Sequence, residues 1–364
     1  MIYYLGNYLF DHFEELSFLR LLNSISFRAI AGAITALLFT IAFGGRLILR
    51  FYRRGQRDVV RSYAQCPTGE HQTKTYGGGL IIAAVLLAAV LWCKLYNPFA
   101  LWCLGGFVWF AGLGAVDDHL KVRHGSSDRG LSERAKLILQ FAYGLVFGVF
   151  YVLEAASPLP AGVATQLYLP FLKAPVLDLS WGYVPFAIFT VIAISNSVNL
   201  ADGLDGLAVV PVAFVVAVFG IFAYVCSNIR IAEFLIYPFL PGAGEVAVIC
   251  SIVFGACLGF LWFNSYPANV IMGDTGSMAL GGLLGTVAVL IKQEFLFLIV
   301  GGVFVGEAFS VLVQEKIGIK WLGRRFFYRS PVHHHFQAQG LAIPRSSPAS
   351  GSWPASWPCA GWRR

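Results

Sequence analysis

Asp117 and Asp118 close a long apolar run, Phe99 to Val116, in a chain that keeps almost all its other acids out of its hydrophobic stretches. Unpaired charge at a membrane helix mouth costs several kcal/mol, so a pair of carboxylates there is read as a working part. Two further clusters repeat the placement: Asn199-Leu-Ala-Asp-Gly-Leu-Asp-Gly206 and Met272-Gly-Asp-Thr-Gly-Ser277. Grouped carboxylates hold a hard divalent cation, and a Gly-rich, hydroxyl-bearing turn before an apolar helix suits a phosphate. His333-His334-His335 follows Arg329-Ser-Pro331, and imidazoles near neutrality hydrogen-bond phosphate oxygens or hold a loop over a site. Each cluster also has a plainer reading. The aspartate pair could be a helix end meeting water, although helix C-termini disfavour acids. Asp202 and Asp205 could be a turn and an N-cap, and the histidines a solvated loop. Taken together, acids, anion-binding turns, basic loops and histidines describe phosphoryl transfer. A metal held by acids neutralises a diphosphate while Lys, Arg or His stabilise developing charge.

The elements that must carry these residues are membrane helices. The 364 residues are 57% hydrophobic and 12% charged, with a mean hydropathy of +0.70, where soluble domains are roughly a quarter charged. Nine segments approach the roughly 17–25 residues needed to span: 27–49, 77–96, 98–116, 136–155, 183–200, 207–226, 246–263, 278–293 and 295–313. The fold class is therefore all-α, a polytopic bundle of about nine to ten transmembrane helices with its active site at the cytoplasmic face. Residues 1–340 are read as one transmembrane domain. Residues 341–364 are a Pro/Ser/Trp-rich tail that cannot span, read as disordered or frame-shifted. Met1–Arg28 carries Asp11, Glu14 and Glu15 and does not resemble a cleavable signal peptide.

Loops 50–76, 117–136 and 314–330 are rich in Lys and Arg, whereas 156–182 holds only Lys173 and 227–245 only Arg230. Basic loops attract the cytoplasmic side, which puts the N-terminus outside and all three acidic clusters on one cytoplasmic face. The net charge of +7 is thus spread by topology and does not form one patch, which excludes nucleic acid as a partner and leaves membrane lipid. The seven cysteines include no CxxC and no zinc-like spacing with histidine. No GxxxxGK[ST] motif is present, which argues against a P-loop pump. Glu307 and Gln314, seven apart, are expected to share a helix face.

The motifs Gly114-Ala-Val-Asp-Asp118, Asn199 to Leu207, Asn264 to Ser277 and Ser330-Pro-Val-His-His-His-Phe336 resemble those of the polyprenyl-phosphate N-acetylhexosamine-1-phosphate transferases. The likeness covers about residues 45–340, and the triple-His block is similar to that of the muramoyl-pentapeptide branch. The resemblance implies a bacterial inner (cytoplasmic) membrane enzyme that works with Mg²⁺. It would transfer phospho-MurNAc-pentapeptide from UDP-MurNAc-pentapeptide to undecaprenyl phosphate, giving lipid I and UMP, as a homodimer. It also implies site roles. Asp274 matches the metal-binding aspartate. Asp117 matches the acid that deprotonates the lipid phosphate or acts as nucleophile, and Asp118 its partner near phosphate and metal. Asn199 and Asp202 match diphosphate and metal-site residues, and Asp205 a position near uracil. Lys136 resembles a lysine on the nucleotide-sugar phosphates, with Thr75 and His333 also in substrate contact. His334 and His335 match catalytic loop histidines. Direct attack by the lipid phosphate is favoured over a covalent route, which the residues alone leave open.

Two departures stand out. Gln72-Thr-Lys-Thr-Tyr-Gly-Gly78 replaces the resembled Gly-Thr-Pro-Thr-Met-Gly-Gly, which puts Lys74 where proline is usual, and Ile271 stands where an aromatic is common. Three rival readings are a related UDP-GlcNAc transferase, a catalytically dead bundle, and an ion-coupled transporter. The transporter would place its acids near the bilayer midplane on repeated, broken helices.

Overall fold

The computed structural model describes residues 1–55, 74–126, 129–170, 172, 174–266 and 268–338; the tail expected at 341–364 lies outside them. Helices dominate. In chain order, α1 (Ile2–His12) and a 3-10 segment (Glu14–Asn23) precede α2 (Ile25–Arg53), a two-residue strand β1 (Thr75–Tyr76), α3 (Gly78–Trp92), α4 (Pro98–His124) and α5 (Glu133–Val152). There follow β2 (Gln166–Leu167), β3 (Leu177–Asp178), α6 (Tyr183–Ala201), α7 (Val209–Ser227), α8 (Ile229–Leu235) and α9 (Gly244–Asn264). The chain continues through β4 (Val270–Ile271), α10 (Gly273–Leu290), α11 (Leu296–Val300), α12 (Gly302–Leu312), a π-helical segment (Val313–Trp321) and α13 (Val332–Ala338). Two compact units result, Met1–Phe309 and Ser310–Arg364.

Among the described residues, six helices are long and apolar enough to cross a membrane: α2, α4, α5, α7, α9, and α6 with the turn before it. Large apolar side chains such as Leu101, Val108 and Trp109 on α4, and Ile138, Phe141 and Val146 on α5, stay exposed. An apolar surface of that extent is a lipid-facing one. The fold is thus the all-α membrane bundle read from composition, with corrected boundaries. Helix α3 has 15 residues, about 22 Å at 1.5 Å each. The ninth segment breaks at Gly301 between α11 and α12.

Helix α10 is the axis of the first unit. Every residue from Gly276 to Leu290 is buried, and α10 packs on α4 and α6, while α9 packs on α2 and α7. Helix α4 starts with a clear cap: the Asn97 side chain accepts from the amides of Phe99 and Ala100, with Pro98 in the first turn. It ends only at Gly125, whose φ of +60° is the left-handed stop. The aspartate pair therefore does not close the helix, as the end of hydropathy at Val116 suggested. Polar residues after 118 are good helix formers, and Lys121, Arg123 and His124 complement the C-terminal dipole. The dipole penalty invoked for Asp117 and Asp118 falls away.

Within the second unit, Gln314 accepts from the amides of Phe326 and Phe327 and donates to the Phe327 carbonyl. Glu307 and Gln314 are both buried, and Gln314 acts as a clamp for the following turn.

Candidate active site

Three carboxylates meet where α4 crosses the start of α10. One oxygen each of Asp117, Asp118 and Asp274 lies within 4.8 Å of the others. Sequence places Asp274 far from the pair, so the geometry comes from two glycines. At Gly114 a Cβ would fall 2.1 Å from the Asp274 carbonyl oxygen, so only glycine lets α4 approach α10 this closely. At Gly273 the backbone takes φ +68°, turning the chain from β4 into α10.

Two ammonium groups sit between Asp117 and Asp274. Lys121 Nζ lies 2.7 Å from Asp117 Oδ2 and 3.1 Å from Asp274 Oδ2. Lys136 Nζ, from the first turn of α5, lies 2.9 Å and 2.8 Å from the same two atoms. Asp117 is fully buried, and its Oδ1 accepts from the Leu131 amide at 2.7 Å. Its Oδ2 is ion-paired by distance but makes no well-aligned hydrogen bond, which leaves lone pairs directed into the cluster. Burial works to raise the Asp274 carboxyl. The charges of Lys121 and Lys136, with the hydrogen bond from Lys136 Nζ, outweigh that and hold it well below the usual carboxylate range.

Asp118 is placed differently from its neighbour. Its Oδ1 accepts from the Asp274 amide at 3.1 Å, and its Oδ2 from the Thr275 amide at 2.8 Å and the Thr275 hydroxyl at 2.5 Å. Asn199, in the last turn of α6, donates to Ser277 Oγ at 2.9 Å, and Ser277 donates to the Gly273 carbonyl. Asn199 thereby joins the start of α10. Asp202 ends α6 at its C-cap, where its amide bonds to the Asn199 carbonyl, and the next helix is capped at Ala208, so Asp205 is not its N-cap.

A second polar group surrounds Asp205. Lys74 Nζ pairs with Asp205 Oδ1, and Oδ2 accepts from the Ala268 amide at 3.0 Å. Asn264 accepts from the Gly206 amide and donates to the Val270 carbonyl. The parallel pairing of β1 with β4 sets Thr75 opposite Val270, and Thr75 is buried there. The replacement of proline by Lys74 thus supplies the cation that engages Asp205. The three histidines belong to the second unit. His333 is buried, and His335 accepts from the Tyr328 amide through Nδ1 with its ring stacked on Tyr328.

The structure brings together Asp117, Asp118, Lys136 and Asp274, with Asn199 linked through Ser277. It adds Lys121, which sequence reading left among the topological charges. The signal was present: Lys121 lies four residues after Asp117, on the same face of a helix. Thr275 and Ser277 were noted only as turn hydroxyls. Chemically, the cluster offers hard carboxylate oxygens beside two cations, an arrangement that accommodates a divalent ion and a diphosphate together.

A family model described as glycosyl transferase family 4 matches residues 100–292. A Desulfotalea psychrophila protein called phospho-N-acetylmuramoyl-pentapeptide-transferase is 42% identical over 324 residues, covering 88% of each chain. The protein of the same name from Caulobacter vibrioides is 42% identical over 344 residues, 93% of this chain and 92% of that one. A third, from Citrifermentans bemidjiense, is 43% identical over 322 residues and 88% of each chain.

Proposed function

The chain belongs to the phospho-N-acetylmuramoyl-pentapeptide-transferase family, and from that premise we propose that it transfers phospho-MurNAc-pentapeptide from UDP-MurNAc-pentapeptide to undecaprenyl phosphate. An oxygen of the lipid phosphate attacks the sugar-linked phosphorus, the bond to the UMP oxygen breaks, and UMP and lipid I are formed. The observation that carries this reading is the pairing of Asp117 and Asp274 around Lys121 and Lys136. Transfer between two phosphates needs little covalent help from the protein; it needs positioning and charge stabilisation.

The carboxylate oxygens are the hard donor set that magnesium prefers, and Asp117 Oδ2, buried without a hydrogen-bond partner, fits a cation. Asp274 and Asp117 would hold it, and when bound it would screen the charges of the diphosphate. Asp117 faces the acceptor phosphate and receives its proton where that phosphate enters protonated. Lys121 and Lys136 offset the charge that builds on the phosphoryl oxygens and the departing UMP. Asn199 and Asp202 border the diphosphate and Asp205 with Lys74 and Thr75 borders the nucleoside, while the family resemblance supports a substrate contact for His333 and a catalytic role for His334 and His335. The basic loops support a site at the cytoplasmic face of the inner membrane with the N-terminus outside, and the family resemblance supports a homodimer. The acids gather where an unbroken α4 meets the first turn of α10, with no helix break at the cluster, which disfavours the transporter reading.

The test is release of UMP by the purified protein supplied with UDP-MurNAc-pentapeptide, undecaprenyl phosphate and Mg²⁺. Wild type should turn over, Asp117→Ala and Asp274→Ala should each fall by at least about 100-fold, and UDP-GlcNAc should not replace the donor. Full turnover in both variants would remove the site assignment.

A further inference from the structure

We infer that Asp118 is a positioning residue: it caps α10 and fixes Asp274, and does not itself bind metal or phosphate. The inference rests on the proposed phosphotransferase site and divides the labour within it. Helix α10 opens with amides that have no acceptor inside the helix. Its own cap position is Met272, which offers no side-chain hydrogen bond. Asp118, 6% exposed and carried by a different helix, supplies the missing acceptor to the amides of Asp274 and Thr275 and to the Thr275 hydroxyl.

A carboxylate has about four lone-pair sites, and three donors from α10 already engage those of Asp118. Distance alone would admit Asp118 to a metal's ligand set together with Asp117 and Asp274; its directed lone pairs do not. Asp117 shows the opposite pattern, with one oxygen on the Leu131 amide and the other facing Lys121 and Lys136 without a well-aligned hydrogen bond. Successive residues of a helix point about 100° apart, so one aspartate faces the reacting groups and the next faces the protein. The backbone is arranged for this contact. A Cβ on Gly273 would lie 2.9 Å from Asp118 Oδ2, and Gly114, one turn before Asp118, lets the two backbones meet. A negative charge at the start of α10 is also favourable to the helix dipole.

The experiment is Mn²⁺ binding to the full-length protein in nanodiscs, followed by electron paramagnetic resonance, for wild type, Asp118→Asn, Thr275→Val, Thr275→Ser and the Asp118→Asn/Thr275→Val double variant. A residue that orients a metal ligand typically alters affinity by about 10–100-fold. Asp118→Asn should weaken Mn²⁺ binding within that range without abolishing it. Thr275→Val should reproduce part of the loss, Thr275→Ser should restore wild-type affinity, and the double variant should be no weaker than Asp118→Asn alone. Wild-type affinity in Thr275→Val, or losses that add in the double variant, would make Asp118 a direct ligand and overturn the inference. If Asp118→Asn does not fold, Thr275→Val against Thr275→Ser decides by the same criterion. Because the readout is metal binding, it stands even if UMP release fails in wild type, so the two proposals fail separately.

Discussion

Lys121 and Lys136 each reach both Asp117 and Asp274, so neither carboxylate has a cation of its own. Removing one ammonium leaves a single positive charge between a buried and a half-buried acid, where the proposed reaction would also place phosphoryl charge. Lys121→Met and Lys136→Met are each expected to lower kcat by about 10²–10³, and single-turnover UMP release measures it. Equal turnover in either variant would mean that its ammonium serves only the resting ion pairs. Of these residues, Lys136 was reached through family resemblance and the acids through their placement at apolar ends. Lys121 was hidden because the hydropathy of the run stops at Val116 while the helix does not. Lys74 was legible as a departure but not as a partner, since only the pairing of β1 with β4 brings it to Asp205. That ion pair is partly exposed, with Lys74 at 31%, and stabilises the loop by no more than about 1 kcal/mol.

At the scale of elements, the site depends on how closely α4 approaches α10. Gly114→Ala would drive a methyl group into the Asp274 backbone, 2.1 Å away, and a carbonyl cannot swing aside as a flexible side chain can. Overpacking of this kind costs about 1–3 kcal/mol, and a displacement of about 1 Å at the reacting groups costs about 100-fold in rate. Gly112→Ala on the same helix meets nothing within 4 Å, so its melting temperature and turnover should match wild type. If Gly114→Ala behaves like Gly112→Ala, α4 and α10 have freedom that their geometry does not display. The helices themselves were readable as apolar runs, because a bilayer demands length and hydropathy from each. Their ends were not, because caps and breaks are set by single residues: Gly125 ends α4 and Gly301 divides the ninth segment. The π winding after Leu312 left no compositional mark at all.

For the whole first unit, stability is anchored at the end remote from the acids. Arg28, fully buried, forms two parallel hydrogen bonds to Glu245, at 2.8 and 2.6 Å, and Glu245 also accepts from the Lys94 amide. Glu245→Ala would strand the guanidinium and should cost about 3–5 kcal/mol, whereas an Arg28→Met/Glu245→Leu double variant should lose much less. Thermal unfolding in detergent compares them, and equal losses would show that the pair contributes by packing alone. This tie escaped notice in the sequence because its partners lie 217 residues apart. The same kind of separation governs the acidic end, where Asp118 and the Thr275 group that it binds are 157 residues apart. At about 5–20 residues per second of synthesis, a ribosome needs roughly 8–30 s to deliver α10 after α4 has emerged. During that interval Asp117 already has Lys121, Leu131 and Lys136 beside it in sequence, but Asp118 lacks every partner it will bind, so the nascent chain carries one buried-to-be carboxylate that is exposed until α10 arrives.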